Sequence, residues 1–313
     1  MRKEYQKISD LYNLGLIKNV ACLRQGLIVP KAVIETPKGK FIVSQHKLSN
    51  KKNIISKSET SLRYEISLLG TLKDLPVPHY LKSVNNKFIE KFGDRWLTVN
   101  KYIEGKNPKT ITPAMARQLG SFLGSFHRKG RNFKKIIKQR RKFYDLNPKV
   151  MREMHSSVKR QKNKKLRAVV EEVKAGVIEN FPPPKLPTGP IHVDIKPENE
   201  LFFKGKLTGI VDFGNFYIGT LMVDLGKTIM WNCCRNKKID KKLLKEFIKG
   251  YGSKRKLGLK ETLYLKKSIL YAIYSHIWVD LYHIPFKYVP ESYVLSLVNN
   301  FLPVARKIIL EAK

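Results

Sequence analysis

Polar, oxygen-bearing side chains concentrate in one short segment of the chain, residues 191–214. Asp194 and Asn199 stand in the order H-x-D-x-x-x-x-N, and Asp212 follows within the triplet D-F-G. Phosphoryl transfer needs a carboxylate that takes or orients a hydroxyl proton, and oxygen ligands that hold Mg²⁺ against the phosphates. Asp194 suits the first role, and Asn199 and Asp212 suit the second, because Mg²⁺ prefers carboxylate and amide oxygens. The spacing therefore predicts a phosphotransfer loop.

Two short apolar runs predict the element that positions these side chains. Residues 201–203 and 207–211 have strand character, and residues 204–206 supply a turn between them. Such a hairpin would carry Asn199 at its entry and Asp212 at its exit, so that both could converge on one cation. A lone H-x-D pattern is more often a core histidine beside a solvated aspartate. Here the whole set of positions occurs together, which favours the phosphotransfer loop.

The pattern along the rest of the chain predicts an α+β protein. One helix, residues 61–72, interrupts a β-rich first part, in which strands are predicted at residues 17–24, 27–36, 40–46, 79–83 and 95–103. Beyond Gly105 the periodicity is mainly helical, with helices predicted at residues 114–127 and within 148–180. A strand-and-loop block at residues 189–212 follows, and then helices to the C-terminus. We therefore predict a nucleotide-binding lobe at residues 1–102. A helical lobe at residues 103–313 would carry the catalytic loop, residues 190–214, and the acceptor site.

Composition indicates a folded protein in a reducing compartment. Apolar residues make up 42% and charged residues 28% of the chain. Its three cysteines form no disulfide framework and no metal-binding spacing, which favours a cytoplasmic location. The N-terminus does not resemble a signal peptide. The apolar stretch at residues 268–286 contains two histidines and an aspartate, so it is predicted to be a core helix rather than a membrane span.

The net charge of +37 raises a second interpretation. An excess of this size can form a surface for nucleic acid or an anionic membrane. RNA-binding modules usually combine such charge with aromatic residues in known motifs. The densest basic run, residues 128–167, has few aromatic residues and no such motif. A polyanion partner is therefore not favoured, and a solvated helical surface is the preferred explanation of the charge.

Collinear motifs resemble those of the aminoglycoside phosphotransferase and choline kinase superfamily, and within it most closely the type II homoserine kinases. Besides the catalytic loop and D-F-G, the resemblance includes Gly26 and Gly39 in the opening strands, and Y-I-E-G at residues 102–105. It also includes L-G-S-F-L-G-S-F-H at residues 119–127 and L-P-T-G-P-I-H-V-D at residues 186–194. The resemblance implies a two-lobed protein-kinase-like fold, with a small antiparallel-sheet N-lobe and a larger helical C-lobe.

The resemblance also implies roles for individual residues. Asp194 would be the catalytic base, and Asn199 and Asp212 would be the magnesium ligands. Asp224 would be either a structural aspartate behind the catalytic loop or a substrate contact. Trp231 lies in the region that would line the acceptor site.

ATP and Mg²⁺ are the cofactors that the resemblance implies. Adenine would bind backbone groups of the hinge at Tyr102 and Ile103. His192 is predicted to be structural, with a hydrogen bond to the backbone near the D-F-G turn.

One departure concerns the phosphate-binding lysine. No glycine-rich phosphate loop is present, and Ser44 stands where protein kinases place a lysine on the third strand. Lys31, Lys47 or Lys196 could supply the missing charge, and Lys196 is favoured because it lies two residues after the catalytic aspartate. Glu65 is either the acidic partner of such a lysine or a surface glutamate.

We therefore predict an ATP- and Mg²⁺-dependent phosphotransferase whose acceptor is the hydroxyl of a small molecule, with L-homoserine as the leading candidate. One alternative is a kinase of the same fold for another alcohol, such as choline, a sugar or an aminoglycoside. The other is a non-catalytic, basic pseudokinase that binds RNA or an anionic membrane. A protein substrate is disfavoured because Val193 replaces the arginine that precedes the catalytic aspartate in most regulated protein kinases.

Overall fold

The computed structural model describes residues 2–23, 29–47, 58–133 and 146–311. Clustering of the chain gives two compact units. The first comprises Met1–Lys106 with Leu201–Phe203 and Thr208–Gly214, and the second comprises the remainder. Gly26, whose spacing contributes to the family resemblance, lies outside the described residues.

The first unit is built on a five-stranded antiparallel sheet of strand order β1-β2-β3-β5-β4. Its strands are β1 (Asn19–Leu23), β2 (Lys31–Thr36), β3 (Gly39–His46), β4 (Glu90–Phe92) and β5 (Arg95–Lys101). Alternate residues of β2 are buried, as expected for a strand with one face on a core. Ile34 and Val43 on that face pack with Ile8 of helix α1 (Arg2–Leu11).

Helix α2 (Glu59–Thr71) belongs to a second, smaller core. Leu62 and Ile66 of α2 pack with Ile89, and the half-buried Trp96 of β5 packs against this cluster. Ser58 caps the helix by accepting a hydrogen bond from the backbone N–H of Ser61.

The second unit is mainly helical. Its helices are α3 (Pro113–Gly130), α4 (Pro148–Lys159), α5 (Lys164–Ala168), α6 (Val170–Glu179), α7 (Leu221–Cys233), α8 (Lys241–Gly252), α9 (Leu259–His283) and α10 (Glu291–Leu310). Three short strand pairs accompany them: β6 (Thr188–Ile191) with β9 (Tyr217–Thr220), β7 (Glu200–Phe203) with β8 (Lys206–Ile210), and β10 (Cys234–Arg235) with β11 (Lys238–Ile239). The hairpin formed by β7 and β8 contributes segments to both units.

Glycines allow the helices of the second unit to approach closely. A Cβ at Gly120 in α3 would lie 2.0 Å from the carbonyl oxygen of Phe247 in α8, and a Cβ at Gly250 would lie equally close to the carbonyl oxygen of Arg117. A Cβ at Gly226 in α7 would lie 2.2 Å from the carbonyl oxygen of Ser268 in α9. These positions exclude any side chain, so the glycines fix the spacing of both helix pairs.

The structure confirms the α+β prediction and corrects several elements. Residues 79–83 contain only an isolated bridge, between Tyr80 and Asn100, and no strand. The first hundred residues contain a second helix, α1, and an additional strand, β4. The predicted helical region at 148–180 is divided into α4, α5 and α6, with Asn163 capping α5.

The apolar stretch at 268–286 is largely part of α9, whose side chains there are almost all buried within the second unit, as predicted. Among the described residues, α10 is the one helix long and apolar enough to cross a membrane by length and composition. Val294, Leu297 and Leu302 of α10 are buried in the second unit.

Candidate active site

The predicted catalytic loop follows β6 and ends in a single turn of 3₁₀ helix, Pro197–Asn199. The amide nitrogen of Asn199 donates to the backbone carbonyl of Asp194 at 2.9 Å and lies 3.3 Å from its carboxylate oxygen Oδ2. The ammonium of Lys196 lies 3.3 Å from the other carboxylate oxygen, Oδ1. The structure therefore brings Asp194, Lys196 and Asn199 together, as the motif predicts.

The backbone of the catalytic loop is strained at Val193. This residue has φ of 62°, in the left-handed region that β-branched residues rarely adopt. The buried carboxylate of Asp224 holds the turn, because its Oδ1 accepts from the backbone N–H of Val193 at 2.7 Å and its Oδ2 accepts from that of His192 at 2.8 Å. Asp224 is fully buried, and this geometry favours the structural role over the substrate contact.

A hydrogen-bonded chain supports Asp224 from behind. The ring of His127 donates from Nε2 to Asp224 Oδ2 at 3.1 Å, and its Nδ1 lies 2.9 Å from the hydroxyl of Tyr251. Burial lowers the pKa of His127, so the imidazole is neutral at pH 7. Burial alone would raise the pKa of Asp224. The hydrogen bond from His127 and those from the loop backbone outweigh burial, and the pKa of Asp224 lies below its usual value.

Two asparagines that the sequence did not single out fix the loop backbone. The side-chain nitrogen of Asn107 donates to the carbonyls of Pro197, Glu198 and Glu200 at 2.9–3.0 Å. That of Asn232 in α7 is 3.3 Å from the carbonyl of Ile195. Neither residue is in the motif, and no local spacing identifies them.

His192 is completely buried, and its Nδ1 accepts a hydrogen bond from the backbone N–H of Asp194 at 3.3 Å. This contact supports the prediction of a structural histidine. The predicted bond to the D-F-G turn stays a prediction.

Trp231 lies beside the catalytic loop, at the C-terminal end of α7. The ammonium of Lys196 is 5.7 Å from the centre of the indole ring. The same ring packs edge-on against His276 of α9 and Phe301 of α10, at centroid distances of 5.2 Å. Trp231 is half-buried. Because Lys196 contacts both the indole ring and Asp194, the residue predicted to line the acceptor site lies near the predicted catalytic carboxylate.

In the first unit, the sheet register places one candidate lysine next to Ser44. Lys31 on β2 is directly opposite Ser44 on β3, so the two side chains share one face of the sheet. Trp96 lies on that face, because it is opposite His46 two positions along β3, and it packs against the α2 core. Lys47 is exposed just beyond the end of β3. Lys31 is therefore the better placed of the two lysines to replace the missing one.

Glu65 lies in α2 and is buried, so the surface alternative for this residue is wrong. Its carboxylate accepts a hydrogen bond from the hydroxyl of Tyr80 at 3.0 Å. Burial raises the pKa of Tyr80 well above its ordinary value, and the charges of Glu65 and Asp212 add to this effect. The predicted pairing of Glu65 with a phosphate-binding lysine stays a prediction.

The hinge residues Tyr102 and Ile103 follow β5, and both are half-buried. The N–H of Tyr102 donates to the carbonyl of Lys40 at 3.0 Å. Gly105 has φ of 155°, and a Cβ there would lie 2.7 Å from the hydroxyl oxygen of Thr208. The segment is thus fixed in shape, whereas its role in binding adenine stays a prediction.

The donor set of the predicted metal ligands is consistent with Mg²⁺. Since the nitrogen of Asn199 is directed to Asp194, its side-chain oxygen remains as an acceptor. Asp212 is exposed, and its φ of 63° gives it the same left-handed backbone conformation as Val193. The described residues include no group of three or more His, Cys, Asp or Glu side chains that could hold a metal. Mg²⁺ sites in phosphotransferases need no such group, because one carboxylate, an amide and the phosphates suffice.

Comparison with known proteins defines the class. The chain matches the phosphotransferase enzyme family over residues 23–261 and therefore belongs to that family. It has the two-lobed α+β protein-kinase-like fold. An amicoumacin kinase has a TM-score of 0.69 at 15% identity, with 98% of this chain and 92% of that one covered. A choline kinase from Cryptosporidium parvum has a TM-score of 0.67 at 16% identity, with 99% and 95% covered.

Several homoserine kinases are similar to the chain in sequence. That of Gluconacetobacter diazotrophicus is 22% identical over 210 residues, which are 65% of this chain and 62% of that enzyme. That of Chelativorans sp. is 24% identical over 256 residues, which are 80% of this chain and 76% of that enzyme. The chain thus spans less than two thirds of the length of the first of these relatives.

Proposed function

We propose that this protein transfers the γ-phosphate of ATP to the hydroxyl group of a small alcohol, with L-homoserine as the leading acceptor. The observation that carries the proposal is the position of the Asp194 carboxylate, between the amide of Asn199 and the ammonium of Lys196. Similarity to homoserine kinases supports the choice of acceptor. Choline, a sugar or an aminoglycoside is the alternative within the same fold.

In the proposed mechanism, Asp194 orients the acceptor hydroxyl and takes its proton as the oxygen bonds to the γ-phosphorus. The bond from the γ-phosphorus to the β,γ-bridging oxygen breaks, and ADP leaves. Lys196 is close enough to the carboxylate to contact the transferred phosphoryl group and offset its charge. Asn199 and Asp212 would hold Mg²⁺, which neutralises charge on the β- and γ-phosphates when bound. Lys31 would contact the phosphates, in the role that protein kinases give to a lysine at the position of Ser44. The hinge backbone at Tyr102 would bind adenine.

We also propose a cytoplasmic location. All three cysteines are free thiols, and the adjacent pair at 233 and 234 is unbridged. Burial raises the pKa of Cys234 to about 12 and raises that of Cys233 well above its usual value, which makes both unreactive as thiolates. These thiols are compatible with a reducing compartment.

An ADP-release screen over small alcohols, including L-homoserine, choline, aminoglycosides and sugars, tests the proposal. We expect Mg²⁺-dependent turnover with at least one alcohol. Asp194→Asn should lower kcat by about 10²–10⁴-fold, which is the usual contribution of a general base. It should retain thermal stabilisation by Mg-ATP, since ligand bound at 100 times Kd contributes about 2.7 kcal/mol.

The matched control is Asp94→Asn, because the Asp94 side chain is 80% exposed. Turnover of another alcohol without turnover of homoserine would exclude the homoserine assignment alone. Absence of stabilisation by Mg-ATP, together with RNA binding that weakens steeply with salt, would instead support the non-catalytic polyanion binder.

A further inference from the structure

The first two turns of α9 present two leucines to solvent. Leu259 and Leu263 are 77% and 74% exposed, and these values, with the 75% of Leu16, are the highest among the large apolar residues that the structure describes. The two leucines are one helical turn apart, so their side chains lie on the same side of the helix. A single exposed leucine needs no explanation, whereas an adjacent pair on one face indicates a contact surface.

Lysines border this pair on both sides. Since successive residues of an α-helix are rotated by about 100°, Lys266 lies about 20° outside Leu259 on the helix circumference. On the other side, Lys267 and Lys260 lie about 40° and 60° outside Leu263. All three lysines are exposed. The start of α9 therefore has an apolar strip with a positively charged border on each side.

No exposed carboxylate compensates these charges within the surrounding segment. Residues 247–290 contain two acidic residues, Glu261 and Asp280, and both are buried. Glu261 is also paired with the guanidinium of Arg255 at 2.8 Å. The exposed lysines of the segment are Lys249, Lys254, Lys256, Lys260, Lys266, Lys267 and Lys287. We call the surface formed by Leu259, Leu263, Lys256, Lys260, Lys266 and Lys267 the α9 patch.

The charge and the apolar strip together select the partner. A second copy of this chain would bring the same positive surface, and its net charge of +37 would oppose the approach. A nucleic acid would attract the lysines, but bases are stacked on aromatic or arginine side chains, and the exposed apolar side chains here are aliphatic. An anionic lipid surface suits both parts, because leucines enter the boundary between headgroups and acyl chains while lysines stay at the charged headgroups.

We propose that the α9 patch binds the surface of an anionic phospholipid membrane, with Leu259 and Leu263 inserted among the headgroups. Only the start of α9 takes part, because every residue from Ser268 to Leu281 is buried within the second unit. The contact is peripheral and goes beyond the proposed phosphotransferase activity, which it leaves in place. The anionic leaflet of a cell membrane faces the cytoplasm, in agreement with the proposed location.

Co-sedimentation with lipid vesicles measures this contact directly. The full-length protein, without nucleotide, is mixed with vesicles of phosphatidylcholine alone or with about 30% phosphatidylserine, in about 0.1 M salt. We expect binding to the anionic vesicles that weakens as salt rises, because salt screens the lysines. Absence of binding to the anionic vesicles, or equal binding to the neutral ones, would overturn the proposal.

A leucine variant tests whether the α9 patch is the surface that binds. Leu259→Ser combined with Leu263→Ser should weaken binding to the anionic vesicles at least about tenfold, because both side chains then lose their transfer out of water. Leu16→Ser is the matched control, since Leu16 is equally exposed but belongs to the first unit, and it should change binding by no more than about twofold. Equal losses in the two proteins would refute the assignment to α9.

A lysine variant tests the charged border. Exchange of Lys260, Lys266 and Lys267 for glutamine should weaken binding about 10²-fold, at about fivefold for each lysine near an anionic surface. The control variant removes the same charge from exposed positions of the first unit, by exchange of Lys73, Lys87 and Lys91 for glutamine. Equal losses in both variants would show that net charge alone drives binding, which would contradict a defined patch.

The leucine variant also separates a membrane from a nucleic acid. Its affinity for a single-stranded RNA should stay within about twofold of the wild type, because serine changes no charge. A loss of RNA binding with unchanged vesicle binding would make the surface a nucleic-acid site, and the proposal would be wrong. Turnover without vesicles should be unchanged, and a fall would show that the leucines support the fold instead. If no alcohol is phosphorylated, the proposed function fails while the vesicle result stands.

Discussion

Replacement of Asp224 by asparagine should show that one buried carboxylate organises the catalytic loop. The carboxylate accepts three hydrogen bonds, from the backbone N–H groups of His192 and Val193 and from the ring of His127. An asparagine keeps one oxygen. If that oxygen takes the Oδ2 position, the amide nitrogen faces the N–H of Val193, and two donors oppose each other.

The magnitude follows from these contacts. A buried N–H left without an acceptor costs about 1–3 kcal/mol. The two remaining bonds change from charge-assisted to neutral, which costs about 1 kcal/mol each. A total of about 3–5 kcal/mol corresponds to a fall in Tm of roughly 6–20 °C for a unit of this size. As Val193 relaxes from its left-handed conformation, Asp194 should shift, and a displacement near 1 Å costs about 10²-fold in kcat.

The assay is differential scanning calorimetry of the wild type and Asp224→Asn, combined with turnover measurements. Since the pKa of Asp224 is lowered in the folded state, its contribution is complete above the unfolded pKa and is lost as pH falls through the folded pKa. The difference in Tm should therefore be constant near neutral pH and shrink in acid. Asp94→Asn controls for the exchange of carboxylate for amide at an exposed site. A Tm within about 2 °C of the wild type, or an unchanged kcat, would refute this account of the loop.

Two further predictions concern stability. Gly120→Ala should destabilise the protein by at least about 2 kcal/mol in urea unfolding, because its Cβ would lie 2.0 Å from the Phe247 carbonyl. Gly70→Ala, with no atom within 4 Å of its Cβ, should stabilise α2 by about 0.5–1 kcal/mol, and equal effects would contradict the packing argument. Burial raises the pKa of Glu200 to about 8, so the wild type should lose up to about 4 kcal/mol relative to Glu200→Gln as pH rises from 5 to 9. Parallel unfolding free energies of the two proteins across this range would show that the carboxyl is not buried as described.

The hairpin of the catalytic loop was predictable because its turn chemistry is local. Lys204 and Gly205 have φ of 48° and 76°, and two residues of positive φ make the tight turn that best suits a two-residue hairpin. The predicted strands at 201–203 and 207–211 accordingly lie within one residue of β7 and β8. The motif residues Asp194 and Asn199 come together because they are only five positions apart.

Most contacts that hold the loop were not predictable, because the partners are distant in the sequence. His127 and Asp224 are 97 positions apart, and Asn107 and Glu200 are 93 apart. His127 ends the motif at residues 119–127, but no local spacing indicates that its ring meets Asp224, and nothing in the sequence around Asn107 distinguishes it from a surface residue. Sheet register is similarly absent from local patterns. The placement of Lys31 opposite Ser44 depends on the whole hairpin of β2 and β3.

Strain at Val193 explains why this fold keeps the Asp224 carboxylate buried despite the free-energy cost of removing it from water. A valine in the left-handed region costs about 1–3 kcal/mol, and ionised Asp224 in the protein interior costs more unless it is fully hydrogen-bonded. The backbone donors of residues 192 and 193 satisfy the carboxylate, and the carboxylate in turn fixes the strained turn, so neither feature is stable without the other. The neutral His127 contributes a donor without adding a compensating positive charge. The positive charge beside Asp194 is therefore that of Lys196, where the negative charge of the carboxylate and of a transferred phosphoryl group would need it.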